Sequence, residues 1–217
     1  MPQFKIISLT LAIIAGLALQ IGTAAAKDVQ TAVIAGGCYW CVEADFDKVK
    51  GVLQTTSGFT GGTVVNPTYK QVTKGGTGHV ESVKIRFDAD IISYRELIDI
   101  YWRTVDPTDA GGQFCDRGDS YITALFVKND AQRQAALASR AEANAILGGR
   151  IVTEIRDLGP FYKTKASHQN YYLGKKRVVT RFGLIPQYKA YKNYRKGCGR
   201  DKRVRQLWGA AAPFAGS

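Results

Sequence analysis

Ala32-Val33-Ile34-Ala35-Gly36-Gly37-Cys38-Tyr39-Trp40-Cys41-Val42-Glu43 decides the reading of this chain. Four apolar residues in a row read as a buried strand, and two glycines end it. From Trp40 to Val49 the period becomes helical, with Val42, Phe46 and Val49 four and three apart. Cys38 therefore stands at a strand-to-helix turn. Backbone N–H groups lack partners there, and the helix dipole is positive. Both features favour thiolate over thiol, so Cys38 is expected to be a redox nucleophile.

Working outward, Leu53 to Thr60 reads as a second strand, ending at Gly61-Gly62. Asn66-Pro67 marks a turn, with Tyr69 on an irregular segment after it. Gly75-Gly76-Thr77-Gly78 is a loop without the Gly-Lys-Ser/Thr of a phosphate loop. His79 to Phe87 alternates, with Val83, Ile85 and Phe87 on one face and Lys84 and Arg86 on the other. Glu81 falls on the apolar face. A carboxylate carried into a core loses hydration and its pKa rises, which suits a general acid near neutral pH. The alternative is a strand-end carboxylate that escapes to solvent, and periodicity alone leaves both open.

Ser93-Tyr94-Arg95-Glu96 is a capping box that starts a helix to about Arg103. A polar loop from Asp109 to Asp119 holds Gln113, Cys115 and Asp116. Tyr121 to Val127 reads as a strand, and Asn129 caps a long helix that stops at Gly148-Gly149. Ile151 to Arg156 reads as a further strand, and a short helix is expected around Ser167 to Leu173. From about residue 174 the chain is expected to be irregular and basic, with mobile small residues from Gly209 to Ser217. The expected fold is one α/β (α+β) domain over residues 27–217. It is a two-layer sandwich of a mixed sheet and flanking helices, with a ferredoxin-like core.

Residues 1–26 read differently. Lys5, the apolar run Ile6 to Ile21 and Ala24-Ala25-Ala26 have the layout of a secretory signal peptide, with an uncleaved anchor as the rival. The expected location is secreted or periplasmic. The chain has four cysteines, Cys38, Cys41, Cys115 and Cys198. A domain of this length builds a core without staples, so redox use of the thiols gains weight over a disulfide scaffold. From Lys163 to Arg205 basic residues outnumber acids fourteen to one, the acid being Asp201. Lysines interleaved with tyrosines there fit a polyanion surface, but export argues against nucleic acid, and a solvated face is the plainer reading.

A structural zinc site needs four ligands, and neither Cys115, Cys198, His79 nor His168 forms a second pair with Cys38 and Cys41. A Cys-x-x-Cys thiol–disulfide exchanger is a stronger alternative. A Cys/His hydrolase would need His79 or His168 beside Cys38.

Several further motifs fall in one order along the chain. Gly37-Cys38-Tyr39-Trp40 with Glu43 precedes Asn66-Pro67-Thr68-Tyr69 and Gly76-Thr77-Gly78-His79-Val80-Glu81. Asp116-x-Gly118-x-x-Tyr121 and His168-Gln169-x-Tyr171 follow. Together they resemble the A-type peptide methionine sulfoxide reductases, from about Val33 to about Tyr172. The resemblance implies that Cys38 attacks the sulfur of a methionine S-sulfoxide, free or in a protein, and becomes a sulfenic acid. It implies that Glu81 protonates the oxygen, that the Tyr69 and Tyr121 hydroxyls hold it, and that Asp116 orders the polar side. Tyr39, where the family usually has Phe, and Trp40 would wall the methyl group. Ile122-Thr123 departs from the family's Arg-Ser. Cys41 stands where the family commonly has Gly, and a subset carries this second cysteine. Cys41, three residues from Cys38, and Cys198, between Gly197 and Gly199, are equal candidates to resolve the sulfenic acid, with Cys115 behind them. The resemblance further implies no bound cofactor or metal, a monomer, and a thioredoxin-like reductant.

Overall fold

The computed structural model describes residues 27–216, so the segment read as a signal peptide lies outside the described residues. In chain order the elements are β1 (Val29–Gly36), α1 (Tyr39–Phe46), β2 (Val52–Thr60), α2 (Tyr69–Lys74), β3 (Val80–Asp88) and α3 (Tyr94–Trp102). Then come the two-residue strands β4 (Gly112–Gln113) and β5 (Asp116–Arg117), followed by β6 (Thr123–Val127), α4 (Asp130–Ile146), β7 (Glu154–Asp157) and β8 (Tyr162–Lys163). The chain ends in a hairpin, β9 (Arg177–Thr180) with β10 (Gly183–Pro186), and two helices, α5 (Gln187–Gly197) and α6 (Arg200–Trp208).

The main sheet has the order β7-β6-β1-β3-β2-β8. Its four inner strands are mutually antiparallel, and with α1 and α3 they form the βαββαβ order of a ferredoxin-like core. The sheet is mixed because β7 joins β6 in parallel. Alternation sends Ala32, Ile34, Val83, Ile85 and Phe87 to one face, where they pack with Val42 and Phe46 of α1 and Leu97, Ile98 and Trp102 of α3. Val33, Ala35, Ala124 and Phe126 face the other way, against Leu158 and Phe161. Capping follows the sequence: Ser93 and Glu96 form a reciprocal box at α3, and the Asn129 side chain accepts from the Gln132 N–H at α4.

The structure corrects four expectations. Tyr69 begins a helix, because Thr68 and Gln71 make a second capping box. Tyr121 ends a 3-10 turn, Asp119–Tyr121, ahead of β6. The segment after residue 174 is not irregular, since it carries α5 and α6. Residues 209–216 are held to it: the Gly216 N–H donates to Asp201, and Arg195 and Arg205 donate to the carbonyls of Phe214 and Ala215.

Buried charge explains the ordered tail. The Arg195 guanidinium donates to Asp45 of α1 at 2.8 Å, with both side chains almost fully buried. Arg200, also buried, donates to the Gly36 carbonyl at 3.2 Å and lies over the Phe114 ring. Val204 and Trp208 follow it at four-residue steps on the buried face of α6. The two helices are thus clamped onto β1 and α1, which carry the strand-to-helix turn.

Candidate active site

Gly37 takes φ +76° between β1 and α1, and a Cβ there would stand 2.5 Å from the Gln113 Cβ. That turn delivers Cys38 to the N-cap of α1, where its carbonyl accepts from the Cys41 N–H at 3.0 Å. Only 6% of Cys38 is exposed. It lines a cavity of about 170 Å³ together with Tyr39, Trp40, Tyr69, Glu81, Asp116, Tyr121 and Tyr194. The seven catalytic and substrate-wall residues expected from the sequence therefore meet, although they come from α1, α2, β3, β5 and the 3-10 turn.

Glu81 is 2% exposed and stands opposite Phe59 in the β2–β3 register. Its Oε2 accepts from the Tyr39 N–H at 3.0 Å. Burial pushes its carboxyl up to about 8, with Asp116 adding to the rise. Glu81 is therefore a protonated, neutral acid at pH 7. The Tyr69 and Tyr121 phenols line the same cavity, where burial lifts the Tyr69 pKa to about 12 and raises that of Tyr121 as well. Both phenols keep their protons as donors.

The thiols depart from the expectation of a thiolate-favouring turn. Burial and the nearby Glu81 and Asp116 carboxyls push Cys38 well above an ordinary thiol, outweighing the helix terminus. Cys41 packs with Cys38 in one buried cluster, and the neighbouring Cys38 thiol and the Arg200 and Arg195 charges lower the Cys41 pKa. Cys38 thus rests as a thiol, with Cys41 packed beside it.

Cys198 is not free. It forms a disulfide with Cys115, 83 residues away, whereas Cys38 and Cys41 are the free cysteines. The candidates for resolution are therefore unequal in this state: Cys41 touches Cys38, and Cys198 is bonded to Cys115.

The wall of the site is aromatic. The Trp40 and Tyr171 rings stack with centroids 3.8 Å apart and planes 8° from parallel. His168 joins the group, with its ring 5.7 Å from that of Trp40 and 4.6 Å from that of Tyr69. The Tyr39 hydroxyl and His168 Nδ1 are 2.9 Å apart, which gives the additional hydroxyl a partner. Glu43, buried and pushed up to about 7 by that burial, accepts from the Asn170 N–H and so ties the His168–Tyr171 segment to α1.

Three contributors are additions to the expected set. Tyr194 reaches the cavity from α5 and its hydroxyl donates to Asp116. His168 and Arg200 act on Tyr39 and Cys41. A row at three-residue spacing, Tyr188, Tyr191 and Tyr194, is the one local sign of α5's aromatic face. Among the described residues no cluster of His, Cys, Asp or Glu suits a metal ion.

A sequence model of the family "Peptide methionine sulfoxide reductase" matches residues 30–208. The "Peptide methionine sulfoxide reductase MsrA 2" of Rhizobium meliloti is 45% identical over 193 residues, covering 89% of this chain and 90% of that protein. The protein of the same description from Caulobacter vibrioides is 43% identical, covering 94% and 98%. Among solved structures, methionine sulfoxide reductase A of Corynebacterium diphtheriae is similar with a TM-score of 0.64 at 30% identity, covering 74% of this chain and 84% of that one. With a site of acid, phenols and buried thiol on this fold, and relatives this similar along almost its whole length, the chain belongs to the A-type peptide methionine sulfoxide reductases, which reduce methionine S-sulfoxide.

Proposed function

We propose the following division of labour for this reduction. The sulfoxide enters the cavity with its methyl group against Tyr39 and Trp40 and its oxygen towards Glu81, Tyr69 and Tyr121. Glu81 gives its proton to the oxygen as the Cys38 sulfur attacks the substrate sulfur. The oxygen then passes to the Cys38 sulfur as the substrate S–O bond and the transient bond between the two sulfurs break, so methionine leaves as the thioether and Cys38 becomes a sulfenic acid. The thiol proton of Cys38 returns to Glu81, so the acid is restored for the next cycle.

Cys41 then attacks the Cys38 sulfur, water leaves, and a Cys38–Cys41 disulfide forms. The packing of these two free thiols in one buried cluster, with Cys198 bonded to Cys115, supports that order over attack by Cys198. A dithiol protein of the thioredoxin type takes up the disulfide by exchange, ending as a disulfide itself. The layout of residues 1–26 supports action in an exported, oxidising compartment.

The convergence of Cys38, Glu81, Tyr69 and Tyr121 on one small cavity carries this reading. Its test is a pre-reduced protein given each sulfoxide epimer without reductant. One methionine per chain is expected from the S epimer and none from the R epimer. Methionine from a Cys38→Ser variant would overturn the assignment.

A further inference from the structure

One face of α5 borders an open groove of about 1060 Å³, to which it gives Tyr188, Tyr191, Lys192, Arg195 and Lys196. Ala44 of α1, Tyr172 and Leu173 add to the apolar part of the lining. Lys175, Lys192, Lys196 and Lys202 stand exposed in the same lining. None of these four makes an ion pair among the described residues. The one carboxylate among the described lining residues is Asp201, and it is engaged already. It accepts from the Arg195 guanidinium at 2.9 Å and from the Gly216 N–H at 3.0 Å. The groove therefore presents uncompensated positive charge beside tyrosine rings.

Charge complementarity calls for a ligand that bears carboxylates. A concave groove admits an extended segment, whereas a flat bilayer surface does not enter it. The reaction itself brings such a segment, because the family reduces methionine sulfoxide in peptides. We propose that the groove binds an acidic stretch of the polypeptide whose methionine sulfoxide is reduced, so that the enzyme selects acidic substrate proteins. The inference rests on the function proposed above. Helix geometry sets the spacing. At about 100° per residue, Tyr194, which lines the catalytic cavity, stands about 130° round α5 from the middle of the groove face. On a helix about 11 Å wide that arc is about 12 Å, or about four extended residues. The acidic stretch thus begins about four residues from the sulfoxide, and free methionine sulfoxide leaves the groove empty.

Peptides in dithiothreitol test this. Each carries methionine S-sulfoxide, a four-residue neutral spacer and a tract of four Glu or four Gln, placed on either side. With the tract on one side, Glu is expected to lower KM about tenfold against Gln at low salt, since exposed ion pairs are individually weak and four act together. The kcat should not change, because the contact is the same in ground and transition states. The advantage should fade towards 1 M salt, where charges are screened within about 3 Å. Lys192→Glu with Lys196→Glu should remove it, as should Lys175→Glu with Lys202→Glu, while both pairs keep native turnover of free methionine S-sulfoxide. Equal KM for Glu and Gln tracts in the native protein would overturn the proposal, as would an advantage that survives both pairs of changes. If the changes weaken turnover with a dithiol protein, or capture by phosphatidylglycerol vesicles, and the native protein ignores the tract, the groove belongs to the reductant or to a membrane and the proposal fails. Free methionine S-sulfoxide separates the two levels: its turnover without tract preference sinks the groove alone, and its absence sinks the function.

Discussion

The backbone N–H of Tyr39 donates a 3.0 Å hydrogen bond to Oε2 of the Glu81 carboxyl group. This fixes the acid against the first residue of the helix that Cys38 caps. The donor of the proton and the source of the nucleophile thus share one rigid junction, although they are 43 residues apart in sequence.

Glu81→Gln keeps the shape and the contact with Tyr39 but loses the proton. A drop in kcat of about 10²–10⁴-fold is expected, the range for a general acid. In the native protein the reductive step should slow as pH rises through about 8, because the acid form of Glu81 is then lost. Stopped-flow measurement of methionine release against pH reads this. The Glu81→Gln profile should lack that limb.

The same pKa shift makes a stability prediction of definite sign. Unfolded Glu81 releases its proton at an ordinary carboxyl value, while the folded carboxyl holds it up to about 8. The unfolded state therefore binds fewer protons across that window, and stability falls as pH rises through it. Glu81→Gln should raise Tm at pH 8 and weaken the fall. Glu43, pushed up to about 7, leaves a smaller fall of the same sign.

Tyr69→Phe with Tyr121→Phe removes both phenolic donors from the cavity. Together they should cost about 10²-fold in kcat, the cost of losing one oxyanion-type donor and its support. Thermal melts should stay close to the native protein, since the rings remain.

Arg195→Met removes the hydrogen-bonded partner of the buried Asp45 carboxylate and leaves it only Arg200, 3.9 Å away. Removing one partner of a buried pair costs about 3–5 kcal/mol, so the urea midpoint should fall sharply. Asp45→Asn in the same chain should recover much of the loss. A single variant as stable as the native protein would contradict the clamp between α5 and α1.

Much of this was legible in the residues. Alternation from His79 to Phe87 placed Glu81 on the core face, and two glycines placed Cys38 on a strand-to-helix turn. Asn66-Pro67 predicts a turn with Tyr69 on an irregular segment, whereas Thr68-x-x-Gln71 is a capping box that starts a helix at Tyr69. The tail helices escaped for a deeper reason. Their buried faces are built on Arg195 and Arg200, so hydrophobic periodicity is weak where packing is strong. Tyr194 against Asp116 and Cys198 bonded to Cys115 join segments about 80 residues apart, and no local pattern encodes such pairs. The thiol pKa values depend on which carboxyls and guanidiniums the fold brings near, which spacing does not specify.

The order of the cysteines is tested most directly by a disulfide map after one turnover. Pre-reduced protein is mixed with methionine S-sulfoxide, quenched by thiol alkylation, digested and read by mass spectrometry. The account predicts one methionine per chain and an internal Cys38–Cys41 bond, with Cys115 and Cys198 alkylated. A peptide joining Cys38 to Cys198, or an alkylated Cys38 after methionine has formed, would contradict it.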